Sequence, residues 1–284
     1  MIRYSALLFA SFIAMTPFGA LASGGEGTNA DEVSSSELSV VMKIYFWGIP
    51  FGSIDLTSII HGEQYSAVSN LRTTGIINLF WKQMIQATSK GRIEGDRLQP
   101  VFYDAFATLN DNKKEEVSLT YDGIAAPRLY VNPPFEDSVK ILVPDADQID
   151  ALDPVSAITF LMAEYRSRVQ NPCDIVAPVF DGRRRYNVEF KKEVDSTIDN
   201  SLYHGPAIQC TIQYRQIAGP VQHVIPNNSD LPIAHAWFAK FPGKISGRNY
   251  YVPLRLSTKT PYGTVTAEVT SLTVEGIRPN ASKN

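Results

Sequence analysis

Histidine and cysteine are scarce in this chain, whose 284 residues include four histidines and two cysteines. The histidines, His61, His204, His223 and His235, show no spacing that suits a metal site. The sequence also lacks a Gly-x-Ser-x-Gly nucleophile elbow, a phosphate-binding loop and a dinucleotide fingerprint. We therefore expect neither a bound metal nor a cofactor.

An excess of charge of one sign is also missing. The chain has 26 lysines and arginines against 29 aspartates and glutamates, which gives a formal net charge of −3. Nucleic-acid binding relies on a strongly basic surface, and attraction to an anionic membrane relies on clustered basic residues. The balance argues against a nucleic-acid partner and against a polybasic membrane anchor.

Long apolar segments are absent beyond one short run at the N-terminus, and that run has the features of a signal peptide. Arg3 supplies a positive charge, residues 6–15 form an apolar core, and Ala-Leu-Ala at 20–22 is a small-residue cleavage site. The run is too short to span a bilayer. We expect residues 1–22 to be removed and the chain to be exported to the periplasm, without a transmembrane segment.

Export to an oxidising compartment would allow the two cysteines to form a disulfide bond. Two thiols in an oxidising compartment form a disulfide more often than a metal pair or a nucleophile. Cys210 alternates with Ile208 and Ile212, which places all three on one face of a strand. We expect a Cys173–Cys210 bond that ties this strand to the segment after the helix described below.

Strand patterns fill most of the remaining chain. Alternating apolar and polar residues recur about every ten residues and are separated by turns rich in Gly, Asp and Asn, as in an antiparallel meander. We expect a disordered linker over 23–37, one curved β domain over 38–274 and a flexible tail over 275–284. Two blocks of strands, 38–131 and 173–274, could instead form separate domains.

One amphipathic helix interrupts the strands, and we expect it over about 154–168. Asp153 is a suitable N-cap and Pro154 a suitable first helical residue. The predicted apolar face comprises Val155, Ile158, Leu161, Met162 and Tyr165. The sequence therefore predicts a mainly β fold, in which a strongly curved antiparallel sheet, a half-barrel or β-spiral, is wrapped around or against this helix.

Large aromatic residues are candidates for lining a cavity that holds a hydrophobic ligand. The candidates are Trp47, Phe80, Trp81 and Trp237. Ordinary core packing is the alternative for each of them. A half-barrel that its helix does not fill would favour the ligand interpretation.

A run of three arginines, Arg183, Arg184 and Arg185, is the most suggestive polar feature. Guanidinium groups suit the carboxylate or phosphate of a lipid headgroup. The alternative is a β-hairpin, because Asp181-Gly182 is a type I′ turn signal. Successive strand residues point to opposite faces, so the three side chains cannot all line one pocket.

Six short segments together carry a family resemblance. They are YFWGIPFG (45–52), KGRIEGDRLQP (90–100), DPVSA (153–157), VFDGRRRY (179–186), VPLR (252–255) and PYGTVTAE (261–268). In this order they resemble an exported proteobacterial family known as domain of unknown function 3108. The resemblance implies a periplasmic, predominantly β protein without an assigned activity. At the level of fold alone, the chain is also similar to β-spiral envelope-integrity proteins and to lipoprotein carriers whose half-barrel wraps a helix.

These expectations favour a non-enzymatic periplasmic protein that binds a lipid-like or hydrophobic ligand, or an envelope partner. The alternative is a periplasmic hydrolase that acts on envelope glycan or lipid through scattered acids. A concave pocket with two carboxylates, or with a histidine and an acid, would favour the hydrolase. An apolar groove without such a pair would favour binding.

Overall fold

The computed structural model describes residues 35–75, 78, 82–110, 113–135, 142–162, 171–220 and 232–278. Seven strands precede the helices: β1 (Ser35–Phe46), β2 (Ile49–His61), β3 (Gln64–Thr73), β4 (Met84–Glu94), β5 (Arg97–Thr108), β6 (Lys114–Thr120) and β7 (Arg128–Asn132). Two helices follow, α1 (Asp145–Gln148) and α2 (Pro154–Met162). Six further strands are β8 (Ile175–Phe180), β9 (Arg185–Asp199), β10 (His204–Ala218), β11 (Ala234–Pro242), β12 (Asn249–Thr260) and β13 (Gly263–Val274).

All 13 strands form one antiparallel sheet, in the order β7-β6-β5-β4-β3-β2-β1-β13-β12-β11-β10-β9-β8. Strands that are consecutive in sequence pair with each other, except β7 and β8, which form the two edges of the sheet, and the first strand also pairs with the last. Ile44 of β1 lies opposite Ala267 of β13, for example. This pairing joins the two blocks of strands, so the chain builds one continuous sheet.

Alternation of apolar and polar residues explains which face of the sheet is buried. In β1, Leu38, Val40, Met42 and Ile44 are buried, while the residues between them are more exposed. Successive strand residues point to opposite faces, so one face of β1 belongs to the core. Irregularities in the register occur in β1, in β4 next to Gly91 and in β11. Bulges of this kind bend a sheet and increase its twist.

The two ends of the sheet meet without pairing. Gly182, in the β8–β9 turn, has a φ of 87°. A Cβ atom on it would lie 2.5 Å from Val117 Cγ1 of β6 and 3.0 Å from Leu129 Cδ1 of β7. The turn at one end of the strand order therefore packs on the strands at the other end. The sheet is barrel-like and open, as the expected half-barrel requires.

Helix α2 packs inside this curved sheet, in contact with β3, β4, β5, β8 and β12. Leu152, two residues before the helix, extends the edge of the sheet by a parallel bridge to β8. Leu152 N–H donates to Pro178 O, and Phe180 N–H donates to Leu152 O, both at 2.8 Å. These bonds hold the start of the helix beside β8. The prediction of a curved antiparallel sheet wrapped around one helix is confirmed.

The buried residues of α2 are Val155, Ser156, Ala157, Thr159 and Met162. Of the predicted apolar face, Val155 and Met162 are buried, and Ile158 and Leu161 are partly buried and pack against the two core clusters. The prediction did not include Ser156 and Thr159, whose polar side chains are buried as well. The expected helical residues 163–168, with Tyr165 among them, lie outside the described residues. No helix in the described part of the chain is long and apolar enough to cross a membrane.

The predicted boundaries of the β domain also change at both ends. Strand β1 begins at Ser35, and Ser36 is buried opposite Ile60, so the linker expected to reach residue 37 was drawn too long. Glu275 belongs to the fold and not to a flexible tail. It is 5% exposed, and its carboxylate accepts hydrogen bonds from Ser246 N at 3.1 Å and from Tyr250 OH at 3.2 Å.

Candidate functional site

A carboxylate buried beneath α2 organises the interior. Asp153 is 0% exposed and caps the helix, because its Oδ1 accepts the amide hydrogens of Val155 and Ser156, each at 2.9 Å. Its Oδ2 accepts the hydroxyl hydrogens of Ser89 at 2.8 Å and of Ser156 at 2.5 Å. The predicted N-cap is confirmed, and both oxygens of the carboxylate have partners.

Three hydroxyl groups link this carboxylate to two strands. Ser156 Oγ lies 2.7 Å from Tyr65 OH of β3 and 2.7 Å from Ser89 Oγ of β4. Tyr65 and Ser89 are both fully enclosed, at 2% and 0% exposure. We refer to Asp153, Ser156, Ser89 and Tyr65 as the buried network. It fixes the first turn of α2 to the middle of the sheet.

Glycine at position 91 makes room for the network. Gly91 lies opposite Tyr65 in the β3–β4 ladder. A Cβ atom on Gly91 would lie 2.6 Å from both Cε1 and OH of Tyr65 and 2.3 Å from Gln99 O. Contacts this short do not occur with real side chains. The absence of a side chain at Gly91 therefore lets the phenol of Tyr65 lie across β4 and reach the helix.

Burial dominates the ionisation of the network. It raises the pKa of the Asp153 carboxyl to about 6, although the hydrogen bonds from Ser156, Ser89 and Val155 favour the charged form. Burial, together with the charge of Asp153, also raises the pKa of Tyr65. The arrangement holds a titratable group in the interior, but the group is enclosed and fully bonded. In this conformation it fixes the helix and faces no substrate.

Small side chains form the floor on which α2 lies. Ala67 pairs with Ser89, Ser69 pairs with Ala87, and Ala87 pairs with Ala105, so these residues share one face of β3, β4 and β5. All of them are buried. Small residues allow a helix to lie close to a sheet, because no long side chain separates the two backbones. This floor explains why α2 can pack through Ser156 and Thr159.

Several buried hydroxyls near the helix have no partner among the described residues. They are Ser69 Oγ, Thr159 Oγ1 and Tyr121 OH. Ser69 is two positions beyond Ala67 on the same strand, and Thr159 is three positions beyond Ser156 on α2. Native interiors pair almost all of their buried polar groups, so unpaired hydroxyls of this kind need an explanation.

Tyrosines continue the polar interior towards the β8–β9 turn. The rings of Tyr186 and Tyr214 have centroids 4.7 Å apart. Burial raises the pKa of both phenols, that of Tyr214 to about 12, and the charge of Arg184 acts on each of them in the opposite direction. Tyr103 interacts electrostatically with Tyr121 and with Tyr186. The phenols therefore connect the region of Asp153 with the arginine run.

Arg184 is the buried member of the arginine run, at 7% exposure. Its Nε lies 3.5 Å from Asp181 Oδ2, which makes an ion pair but leaves Nε without a hydrogen bond among the described residues. Asp181 Oδ1 accepts the backbone amides of Arg183 at 2.9 Å and Arg184 at 2.7 Å. Asp181 therefore closes the turn, and the hairpin interpretation of this run is confirmed. The turn is not of the predicted type I′, because Phe180 pairs with Arg185 across a four-residue loop and Asp181 does not have a positive φ.

The other two arginines contact different elements. The guanidinium of Arg183 lies over the ring of Phe135, 5.2 Å from its centroid. Arg185 Nε donates to Asp147 O of α1 at 3.0 Å, and Arg185 Nη1 donates to Asn187 Oδ1 at 2.8 Å. The run therefore does not converge on one point. Among the three, Arg184 alone has its side chain buried beside the phenols of Tyr186 and Tyr214.

The structure separates the candidate tryptophans. Trp47 occupies the tip of the β1–β2 hairpin and is 70% exposed. Trp237 lies within β11 opposite Arg255, whose guanidinium is 5.5 Å from the indole centroid. The remaining two candidates, Phe80 and Trp81, lie outside the described residues. Trp47 and Trp237 therefore do not line a common site.

Histidines in the described residues do not join the interior site. His235 Nδ1 lies 2.8 Å from Glu193 Oε2, and both side chains are more than a third exposed. His204 forms a second pair with Asp199 in the β9–β10 turn, where the carboxylate is also exposed. The described residues contain no group of three or more His, Cys, Asp or Glu side chains that could hold a metal ion.

The two cysteines form the expected disulfide bond. Cys173 precedes β8 and Cys210 lies within β10, with 37 residues of separation. Both are at most 1% exposed and pack in a second apolar cluster with Phe190 and Phe238. The bond ties the segment that follows the helix to the middle of the second block of strands, as predicted.

Sequence reasoning missed the hydroxyl partners of Asp153. A signal for them was present, since alternation along β3 and β4 places Ser69 and Ser89 on the same faces as Ala67 and Ala87. Serine at an inward position of a strand implies a buried partner. A serine three residues after a helix N-cap, as at Ser156, is a further sign of polar contacts at a helix start.

The fold and the internal site together define a β-barrel-like protein, built from one open sheet with a helix fixed inside it. The sequence model of the family described as Protein of unknown function (DUF3108) matches residues 41–270, and the chain belongs to this family. The fold is similar to the crystal structure of a β-barrel-like protein of domain of unknown function DUF1849 from Brucella abortus. That likeness has a TM-score of 0.50 at 9% identity and covers 84% of this chain and 97% of the other. No curated protein matches the chain.

Proposed function

We propose that the protein is a non-enzymatic component of the cell envelope that binds a lipid-like ligand with an acidic headgroup inside its curved sheet. The observation that carries this proposal is the group of buried polar atoms without a hydrogen-bond partner among the described residues. They are Ser69 Oγ, Thr159 Oγ1, Tyr121 OH, Arg183 Nε and Arg184 Nε. An unpaired buried group costs about 1–3 kcal/mol, so a ligand that pairs with these atoms removes a cost that the unliganded protein carries.

The chemical class of the ligand follows from the groups that would meet it. Arg184 is a buried cation whose ion-pair partner among the described residues is Asp181, at 3.5 Å. A guanidinium with free hydrogen-bond capacity suits a carboxylate or a phosphate. The phenol of Tyr121 is a further donor that is unpaired among the described residues, on the side of the interior that holds Asp153 and Tyr103. The apolar core around α2 supplies the surface for a hydrocarbon tail.

Access to this interior requires movement. Helix α2 covers the floor of small residues, and the β8–β9 turn closes the ends of the sheet. Either element must shift to admit a ligand. The buried network attaches α2 through hydrogen bonds, which water or a ligand can replace, so the helix is the element that we expect to move.

An exported location fits this function. The leader pattern over residues 1–22 lies outside the described residues, and its cleavage remains a prediction. The Cys173–Cys210 bond supports export, because disulfides persist in oxidising compartments. N-terminal sequencing of the mature protein should begin at Ser23, and the protein should fractionate with periplasmic contents. Recovery of Met1, or fractionation with integral membrane proteins, would remove this support.

The direct test is native mass spectrometry of the protein purified from its own periplasm without detergent. We expect a bound mass that organic solvent extracts as a lipid. A titration with the fluorescent fatty acid cis-parinaric acid should show saturable binding. The proposal fails if no lipid co-purifies and the probe does not bind. Turnover of purified envelope glycan or lipid by the wild-type protein would favour the hydrolase instead.

A pair of conservative variants locates the site. Tyr121→Phe removes an unpaired hydroxyl, so it should leave the free protein as stable as the wild type or slightly more stable. It should weaken cis-parinaric acid binding about five- to tenfold, the value of one hydrogen bond. Tyr203→Phe is the matched control, because the hydroxyl of Tyr203 already donates to Pro206 O at 2.8 Å. If both variants bind cis-parinaric acid with the same affinity, the ligand does not contact Tyr121.

A further inference from the structure

The β1–β2 hairpin has a tryptophan at a position that disfavours it. Phe46 pairs with Ile49, so Trp47 and Gly48 form a two-residue turn, with φ values of 49° and 80°. Positive φ at both central residues defines a type I′ turn, for which Asn-Gly is the preferred sequence. A bulky side chain at positive φ is strained, and strain of this kind is concentrated at functional positions.

The indole is held in place although it is exposed. Its ring stacks on Phe46 with centroids 5.4 Å apart, and the backbone amide of Trp47 donates to Thr264 O at 3.1 Å. The ring also lies over Gly263 of the neighbouring β12–β13 turn, where a Cβ atom would be 2.1 Å from the indole Nε1. Trp47 is therefore fixed between two hairpin tips and points its large apolar surface to the outside.

Neighbouring residues extend this apolar surface. Ile49 is 58% exposed and Tyr262, at the tip of the β12–β13 hairpin, is 64% exposed. We refer to Trp47, Ile49 and Tyr262 as the hairpin-tip patch. The two segments that carry it, 44–52 and 258–266, contain no acidic residue and one basic residue, Lys259. The patch is apolar and aromatic, projects from the end of the sheet, and lacks a charged rim.

We propose that the hairpin-tip patch inserts into the headgroup region of a lipid bilayer. Tryptophan and tyrosine are the residues that prefer this region, because each has an apolar ring with one polar group. Two projecting turns enter a soft lipid surface more easily than they fill a pocket on a folded partner. Protein interfaces, in contrast, surround their apolar centre with a polar rim, which these segments lack. This inference concerns the outer end of the sheet and does not depend on a ligand in its interior.

A vesicle flotation assay tests this proposal directly. The vesicles contain phosphatidylethanolamine and phosphatidylglycerol at a ratio of roughly three to one. The full mature protein should float with the vesicles. Trp47→Asn creates the preferred Asn-Gly turn, so it should keep or raise the melting temperature while it lowers vesicle affinity about tenfold or more. If Trp47→Asn is at least as stable as the wild type but binds vesicles more weakly, the loss of binding is not caused by unfolding.

A matched control is available at the opposite end of the sheet. Ile124, between β6 and β7, is 86% exposed and lies at the other end of the antiparallel strands. Ile124→Ser should float as the wild type does. Brominated acyl chains should quench the tryptophan emission of the wild type, and Trp47→Asn should abolish that quenching.

Two results would overturn the proposal. One is a wild-type protein that does not float. The other is a Trp47→Asn variant that floats and is quenched like the wild type. A third measurement is binding to a purified envelope protein. If the wild type binds that protein but not vesicles, and Trp47→Asn binds neither, the patch is a protein-docking surface and the lipid proposal is wrong.

Discussion

The hydroxyl oxygens of Tyr65 and Ser156 lie 2.7 Å apart, although 91 residues separate them in the chain. This contact joins β3 to the first turn of α2, and both groups are enclosed by the core. Asp153, which caps the same turn, is bonded to Ser156 and to Ser89 of β4. The helix is thus held inside the sheet at one specific point by polar contacts, while apolar residues surround that point.

The Tyr65–Ser156 contact should be measurable as a coupling energy. Tyr65→Phe removes one hydrogen bond, and Ser156→Ala removes that bond, the bond to Asp153 and the contact with Ser89. We expect losses of about 1 and 2 kcal/mol in the free energy of unfolding. The double variant should lose less than the sum, with a coupling of about 0.5–1.5 kcal/mol, because both changes act on one contact. Urea denaturation followed by circular dichroism gives these values.

An unrelated hydroxyl provides the control for this cycle. Thr260 Oγ1 donates to Gly263 O at 2.8 Å in the β12–β13 turn, away from the network. Thr260→Ala combined with Tyr65→Phe should be additive. A coupling near zero between Tyr65 and Ser156 would show that their contact does not contribute to holding α2.

Gly91 should tolerate no side chain. Gly91→Ala places a Cβ atom 2.3 Å from Gln99 O and 2.6 Å from the Tyr65 ring, so either the backbone or the phenol must move. We expect a loss of about 1–3 kcal/mol, as for other overpacked cores, and a fall in the melting temperature. Gly205→Ala is the matched control. Its nearest contact is the hydroxyl of Tyr203 at 2.9 Å, a side-chain atom rather than a backbone oxygen, so we expect a smaller loss, about that of the Tyr203–Pro206 hydrogen bond. Equal effects at both positions would contradict the steric account.

Local patterns were sufficient to predict the strands and most turns. Alternation in β1 predicts Val40, Met42, Ile44 and Phe46 on one face; the first three are buried and Phe46 is partly buried. A strand pattern depends on residues two positions apart, so it is visible without knowledge of the partner strand. The same holds for the helix start, where the identity of Asp153 suffices to predict a cap.

Long-range pairing could not be predicted in this way. The ladder between β1 and β13 places Ile44 opposite Ala267, and no local pattern specifies that partner. The polar part of the buried face of α2 was missed for a related reason. The apolar pattern predicted Val155 and Met162, which are buried, but it did not predict that Ser156 and Thr159 are buried beside them. The sheet supplies Tyr65 and Ser89 as partners for this polar face, and they come from distant parts of the chain.

The disulfide should be structural. Cys173 and Cys210 are 37 positions apart in the chain. The chain-entropy model attributes a stabilisation of about 4 kcal/mol to a disulfide that closes a loop of this length. Replacing either cysteine by serine should lower the melting temperature by several degrees or more, and replacing both should add little. Labelling of the unfolded, unreduced protein with a thiol reagent provides the direct check. Two reactive thiols per chain would refute the bond.

The stability of the protein should depend on pH through Asp153, and replacing Asp153 by asparagine should remove that dependence. Burial raises its pKa from 3.8 to about 6, so the folded state binds a proton more readily than the unfolded state between these values. The contribution is complete below the unfolded pKa and is lost as the pH rises through the folded pKa. Its size is about 3 kcal/mol at most, from roughly two units at 1.36 kcal/mol each. Asp153→Asn should keep the N-cap, because asparagine caps as well as aspartate does.

The measurement is the free energy of unfolding of wild type and Asp153→Asn at intervals from pH 3 to pH 7. Wild type should lose stability relative to the variant as the pH rises from about 4 to 6. Asp122→Asn is a control of opposite sign. The amides of Ala125 and Ile124 donate to Asp122 and lower its pKa, so its contribution is present at neutral pH and lost as the pH falls below the ordinary value. A wild-type curve parallel to that of Asp153→Asn would mean that Asp153 titrates normally. In that case the carboxyl has the same pKa in the folded and unfolded states, and its titration does not make the attachment of α2 sensitive to pH.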